Sequence, residues 1–141
     1  MRALVQRVSS ASVAVEGELI SRIGPGLLVL LGVAASDTRD EAEWMARKLR
    51  ALRIFDDAEG RMNEPLGGRE VLCVSQFTLY GDVAKGNRPG WGAAAPGEVA
   101  KPLYEAVCDL LGAERGLFGA HMEVDLTNDG PVTLLIDSPQ A

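Results

Sequence analysis

The stretch Leu27 to Val33, LLVLLGV, limits the fold of this chain more than any other. It carries no polar side chain, so a strand made from it has no face to offer to water. Such a strand is covered on both sides and sits inside a sheet rather than at its margin. The Gly24-Pro25-Gly26 cluster just before it marks a turn.

Strand-like periods surround this run. Ala3, Val5 and Arg7 alternate with Leu4, Gln6 and Val8. Ala11, Val13 and Val15 alternate with Ser10, Ser12, Ala14 and Glu16, and Gly17 marks the next turn. Thr38-Arg39-Asp40-Glu41 has the form of a capping box, in which a hydroxyl and a carboxylate satisfy the free amides of a first helical turn. Met45, Leu49 and Leu52 follow at helical spacing, which predicts a helix over 39–52. Arg53 to Phe55 reads as extended, Asp56 to Gly60 as a turn and Val71 to Leu79 as a strand. Gly81 to Pro96 is a glycine- and proline-rich loop carrying Lys85, Arg88 and Trp91. Val99, Leu103, Val107 and Leu110 predict a second helix ending near Leu111. Phe118, Ala120, Met122, Val124 and Leu126 alternate with Gly119, His121, Glu123 and Asp125, predicting a half-buried strand. Asn128-Asp129-Gly130-Pro131 breaks it before a last strand over 132–136. The fold class is therefore α/β: a single domain over 1–141 with two main helices on an antiparallel or mixed sheet.

Composition narrows function. The chain has 141 residues, and 14 lysines and arginines against 20 aspartates and glutamates leave a net charge of −6. That disfavours binding along duplex DNA, where phosphate neutralisation supplies most of the affinity. One histidine and two cysteines exclude the usual zinc modules, so no metal or cofactor is expected. The longest apolar run, Gly26 to Ala35, is ten residues, about half of a membrane span. The opening MRALVQRVSS lacks an apolar signal core. Cys73 and Cys108 lie in apolar runs and read as buried thiols of a reducing cytoplasm.

Searched for chemistry, the chain lacks a P-loop, a GxGxxG turn and a GxSxG elbow. His121 reads first as a hydrogen-bonded structural residue and second as site-lining. Ser75-Gln76-Phe77-Thr78-Leu79-Tyr80 places Ser75 and Phe77 on one strand face and Gln76 and Thr78 on the other. It suits either a simple amphipathic strand or a pocket of hydroxyls, an amide and a ring. Asn128-Asp129-Gly130-Pro131-Val132-Thr133 suits either a tight turn or a functional one.

Taken together, SQFTLYGD (75–82), NDGPVTLLIDS (128–138), MRALVQRV, IGPGLLVLLGV (23–33), LRIF (52–55), KGNRP (85–89) and FGAHM (118–122) resemble the D-aminoacyl-tRNA deacylase family. The resemblance implies a curved, barrel-like sheet and a homodimer. It implies hydrolysis of the ester of D-aminoacyl-tRNA, and of mischarged glycyl-tRNA, in the cytoplasm, with L-aminoacyl-tRNA refused. Ser75 and Thr78 would be the catalytic candidates, and Phe77 would meet the terminal adenine. Gln76 and Asn128 would help bind substrate. Gly130-Pro131 would be a Gly-cis-Pro motif given by the partner subunit, excluding an L side chain at the chiral centre, with Arg7 in support. Catalysis would rest mainly on the tRNA 2′-OH and backbone amides. Thr78 would line the pocket rather than attack, because no adjacent base activates it. Lys85, Arg88 and the Arg47–Arg53 helix face would meet the tRNA. The loop departs from the family at Pro89-Gly90-Trp91, where a serine before the aromatic is more usual.

Overall fold

A computed structural model describes residues 1–139. Its centre is the apolar run, now strand β3 (Gly26–Gly32), flanked by β1 (Arg2–Val15) antiparallel and β6 (Glu70–Ser75) parallel. Leu27, Val29 and Leu31 face one apolar cluster, while Leu28 and Leu30 face another. Double coverage is what the sequence required. Each fully buried leucine contributes about 1.5–3 kcal/mol. Gly26 is glycine because β6 comes close: a Cβ there would stand 1.8 Å from the Glu70 carbonyl oxygen.

The sheet runs β2 (Glu18–Ile23), β1, β3, β6, β7 (Glu114–Arg115), with β8 (Glu123–Asp137) on the other edge of β1. Ser21 Oγ of β2 donates to the Arg115 carbonyl of β7 at 2.6 Å, so a side chain nearly closes the sheet into a barrel. Val8, Ala11, Val13, Ile23, Leu72 and Val74 fill the interior. Helices α1 (Arg39–Ala51) and α2 (Gly97–Leu111) cover the outer face, burying Met45, Leu49, Tyr104, Val107 and Cys108 against Ala3, Val5 and Val29. Both cysteines are free and buried. The Tyr104 hydroxyl donates to the Cys73 carbonyl at 2.7 Å.

The capping box forms as read. Thr38 Oγ1 accepts from the Asp40 amide, and Glu41 reaches back to the Thr38 amide. Those hydrogen bonds from Thr38 hold the Glu41 carboxyl below its ordinary range. β1 and β2 form a hairpin through Glu16 and Gly17, whose φ values of 51° and 80° suit a tight primed turn. A small second sheet pairs β4 (Phe55–Asp56) with β5 (Met62–Glu64) around the 57–60 turn.

Several expectations need correction. The strand expected over 71–79 stops at Ser75 and gives way to a 3-10 turn, Phe77–Tyr80. The Gln76 amide makes the last bond to this neighbour, donating to the Leu31 carbonyl at 2.8 Å. β3 ends at Gly32, so no further partner exists. Ser75/Phe77 and Gln76/Thr78 are therefore not opposite faces of one strand. The strand expected from Phe118 begins only at Glu123, because its partner β1 runs out one residue beyond Ala14, the residue that faces Glu123. Asn128–Pro131 does not end that strand. β8 continues to Asp137, and its register against β1 shifts on both sides of Val8. The same irregularity merges the two alternating runs of β1. Ala3 and Val5 face the helices, while Val8, Ala11 and Val13 face the barrel interior. Leu110 is exposed rather than on the buried face of α2.

Candidate functional site

The 3-10 turn Phe77–Tyr80 forms because the chain leaves its sheet neighbour and folds back over Gly32. A Cβ on Gly32 would stand 3.1 Å from the Gln76 carbonyl and 3.2 Å from the Tyr80 ring, so only glycine admits the turn there. Arg2 holds it from behind: Nη1 donates to the Leu79 carbonyl at 3.1 Å, and the guanidinium sits over the Tyr80 ring. Burial, and then the Asp37 carboxylate, push the Tyr80 phenol up to about 12.

Beside this turn lies a cavity of about 490 Å3. Ser75, Gln76 and Phe77 line one part of it; Ala95, Gly97 and Ala100 at the start of α2 line another. Phe118 to Met122 complete it with Val33, Val74 and Val124. Three of the four residues singled out in this segment thus meet in one place. Thr78 does not line the cavity. It is exposed, and its hydroxyl oxygen accepts from Gln76 Nε2 at 2.5 Å. The amides of Phe77 and Thr78 open the turn, where helical geometry supplies no carbonyl for them. His121 lines the cavity rim, is exposed, and makes no side-chain hydrogen bond among the described residues. The structural role read first for it is therefore not the one it has. It is the only imidazole.

The second group of candidates gathers elsewhere in the protomer. Asn128 Oδ1 accepts from the Val132 amide at 3.2 Å, and its Nδ2 donates to Thr133 Oγ1 at 2.9 Å. These two bonds span the exposed Gly130 and Pro131, whose peptide bond is cis. Gly130 has φ 130°, a backbone region that disfavours any side chain. Arg7 is only 7% exposed, so the strand-surface alternative for it falls. Its Nε donates to the Asp129 carbonyl at 3.0 Å and its Nη1 to the Ile54 carbonyl at 2.9 Å. None of Arg7, Asn128, Gly130 and Pro131 lines the cavity.

Sequence reading missed the part of the wall formed by residues 118–122 and the role of Trp91. FGAHM was visible as a segment, but its alternation read as strand. Trp91 packs edge-to-face on Phe77, with ring centroids 5.0 Å apart. Of the basic residues, Lys85 and Arg88 have no ion pair among the described residues. Arg50 and Arg53 are engaged with Leu111 and Asn63.

A mixed, nearly closed sheet with two outer helices, and an apolar cavity edged by small polar side chains rather than by paired titratable groups, define a hydrolase class that does not use a histidine or metal centre of its own chain. The family model described as D-Tyr-tRNA(Tyr) deacylase matches residues 4–137. The D-aminoacyl-tRNA deacylase of Chlorobium limicola is 57% identical over 99% of both chains. That of Chlorobaculum parvum is 53% identical over the same shares. The structure titled c-Myc DNA Unwinding Element Binding Protein superposes with a TM-score of 0.94 at 45% identity, over 99% of this chain and all of that one. A probable eukaryotic D-amino acid tRNA deacylase shares the fold, with a TM-score of 0.82 at 17% identity over 96% and 97%. The chain belongs to the D-Tyr-tRNA(Tyr) deacylase family and is a D-aminoacyl-tRNA deacylase, a hydrolase. Among the described residues, no helix is long and apolar enough to cross a membrane.

Proposed function

We propose that the working unit is a homodimer in which each cavity takes the terminal adenosine and aminoacyl ester of a tRNA, while Gly130-Pro131 of the partner subunit closes over the chiral centre. The observation that carries this is the separation of the two groups of residues. Ser75, Gln76 and Phe77 line the cavity, and the 128–131 segment lies outside it, exposed and tethered by Arg7 and Asn128. That segment belongs to β8, which pairs only with β1 among the described residues and exposes Leu126, Leu134 and Leu135. An unpaired apolar edge suits a second copy.

Backbone facing the chiral centre leaves no room for an L side chain, so selectivity comes from a clash and tolerates many D side chains, and glycine. Phe77 stacks on the adenine. Water adds to the ester carbonyl, the oxyanion is held by amides at the turn, and the 3′-oxygen leaves as free tRNA and amino acid form. The vicinal 2′-OH of the tRNA assists, since the Thr78 hydroxyl has no base beside it. The enzyme acts in the cytoplasm on tRNA ends and uses no metal or cofactor. A DNA element is named only for the 45%-identical neighbour. The net charge of −6 favours a local RNA end over duplex DNA.

Complementation tests the composite site. Phe77→Ala and Gly130→Trp are each impaired alone on D-tyrosyl-tRNA. Mixed dimers regain a substantial share of activity, because one of their two sites has both parts intact. No recovery in verified mixed dimers, or a monomer by sedimentation that is fully active, refutes the shared site. Equal hydrolysis of D- and L-tyrosyl-tRNA refutes chiral rejection.

A further inference from the structure

Trp91 is 42% exposed and Phe77 53% exposed, two neighbouring aromatic rings left largely to water. Phe77 lines the cavity and Trp91 does not, so Phe77 stands between the cavity and the indole. A chain that leaves the cavity over Phe77 meets Trp91 next. The 5.0 Å between ring centroids compares with about 3.4 Å per nucleotide along a stacked strand, a single slightly extended step.

The indole is held by backbone rather than by its loop. A Cβ on Gly81 would lie 2.8 Å from Trp91 Cζ3. Gly81 has an ordinary φ of −65°, so its missing side chain serves space and not conformation. The loop that delivers Trp91 is pinned at its neck, where Asp82 and Gly90 exchange two backbone hydrogen bonds of 2.8 Å. That loop carries Lys85 and Arg88, which have no carboxylate partner among the described residues.

We propose that Trp91 is the subsite for the nucleotide preceding the terminal adenosine, its base stacking on the indole and its phosphate drawn to Lys85 and Arg88. This deepens the reading above and rests on the terminal adenosine occupying the Phe77 cavity. A preformed aromatic face binds any base without reading its edge, and two cations supply charge where the RNA backbone passes. It also explains how a chain of net negative charge holds an RNA end: contact is confined to one pocket, one ring and one loop.

Two substrates separate stacking from mere support of Phe77: D-tyrosyl-tRNA, and the D-tyrosyl ester of adenosine alone, which has no preceding nucleotide. Trp91→Leu raises KM for the tRNA about tenfold more than for the adenosine ester, with kcat changed far less, and Trp91→Phe restores most of the difference. Equal KM increases on both substrates mean that Trp91 only props Phe77, and overturn the subsite. In a second measurement, the dinucleotide CpA quenches tryptophan fluorescence more than adenosine does, and the extra quench is lost in Trp91→Leu. Quenching equal to that of adenosine, or persisting in Trp91→Leu, also overturns it. Wild-type protein that cleaves neither ester overturns the underlying reading together with the subsite.

Discussion

Replacing Arg7 by lysine keeps the charge and removes the fork. The buried guanidinium serves two carbonyls from two nitrogens, Asp129 from Nε and Ile54 from Nη1. It also meets the Asp56 and Asp129 carboxylates at 3.3 and 3.4 Å. Those carboxylates are 54% and 58% exposed, so the ion pairs contribute little and the carbonyl bonds dominate. A lysine ammonium reaches one carbonyl at best. Losing one charged hydrogen bond and leaving a carbonyl unpartnered costs about 2–3 kcal/mol. Urea unfolding followed by circular dichroism, at two protein concentrations to separate dissociation from unfolding, reads this directly. Asp56→Asn is the control, with an expected loss within about 0.5 kcal/mol. The same tether positions Gly130 through the adjoining Asp129 carbonyl. If selectivity depends on that position, a loss of about 2 kcal/mol corresponds to as much as a thirtyfold fall in the ratio of D- to L-tyrosyl-tRNA hydrolysis. Arg7→Lys within about 0.5 kcal/mol of wild type refutes the energetic argument. Full destabilisation with an unchanged ratio refutes the link from tether to selectivity.

Gly130→Val places a Cβ 2.8 Å from Val132 Cγ2 and 3.0 Å from Arg7 Nη2, at a φ that already disfavours side chains. It lowers stability by about 2–3 kcal/mol and disturbs chiral selectivity; wild-type unfolding and kinetics in this variant would count against both assignments. Thr78→Ala removes only the acceptor for Gln76 Nε2 and keeps kcat within about tenfold on D-tyrosyl-tRNA, whereas complete loss with an intact fold and intact substrate binding makes Thr78 the nucleophile. The Tyr80 phenol is raised to about 12, so the fold favours its neutral form. That contribution is complete below pH 10, the unfolded value, and fades as pH rises through 12. Tyr80→Phe keeps the ring over Arg2 and flattens the alkaline fall in stability, and an unchanged alkaline limb contradicts the buried phenol as its source.

Much of the fold was legible where the signal is local. The capping box placed the start of α1, and the apolar run placed β3 between two layers, because hydrogen-bonding groups and apolar surface must be satisfied wherever they sit. Ser75, Gln76 and Phe77 were recognisable by chemical type, and the structure gathers them at one cavity. The errors arose where a period continued past the end of its partner. Phe118 to Met122 alternates as a strand would, yet no neighbour reaches it, and the chain turns to wall the cavity instead. Thr78 was read as paired with Gln76 on a strand face. It meets Gln76 through a hydrogen bond in a turn.

By itself, the sequence determined which residues seek burial, which segment begins a helix, and that catalysis here has one imidazole and no metal set to draw on. Tertiary structure decided where β6 stops, how β1 changes the side it buries, and that Arg7, a charge on an alternating strand, lies buried and ties 128–131 to Ile54. It also decided that the two groups of candidate residues stand apart in one protomer. The physical reason is common to all of these. Propensity and apolar period act within a few residues, whereas a strand lasts only as long as a distant segment offers it carbonyls and amides. A buried charge, likewise, is tolerated only where distant backbone supplies its acceptors.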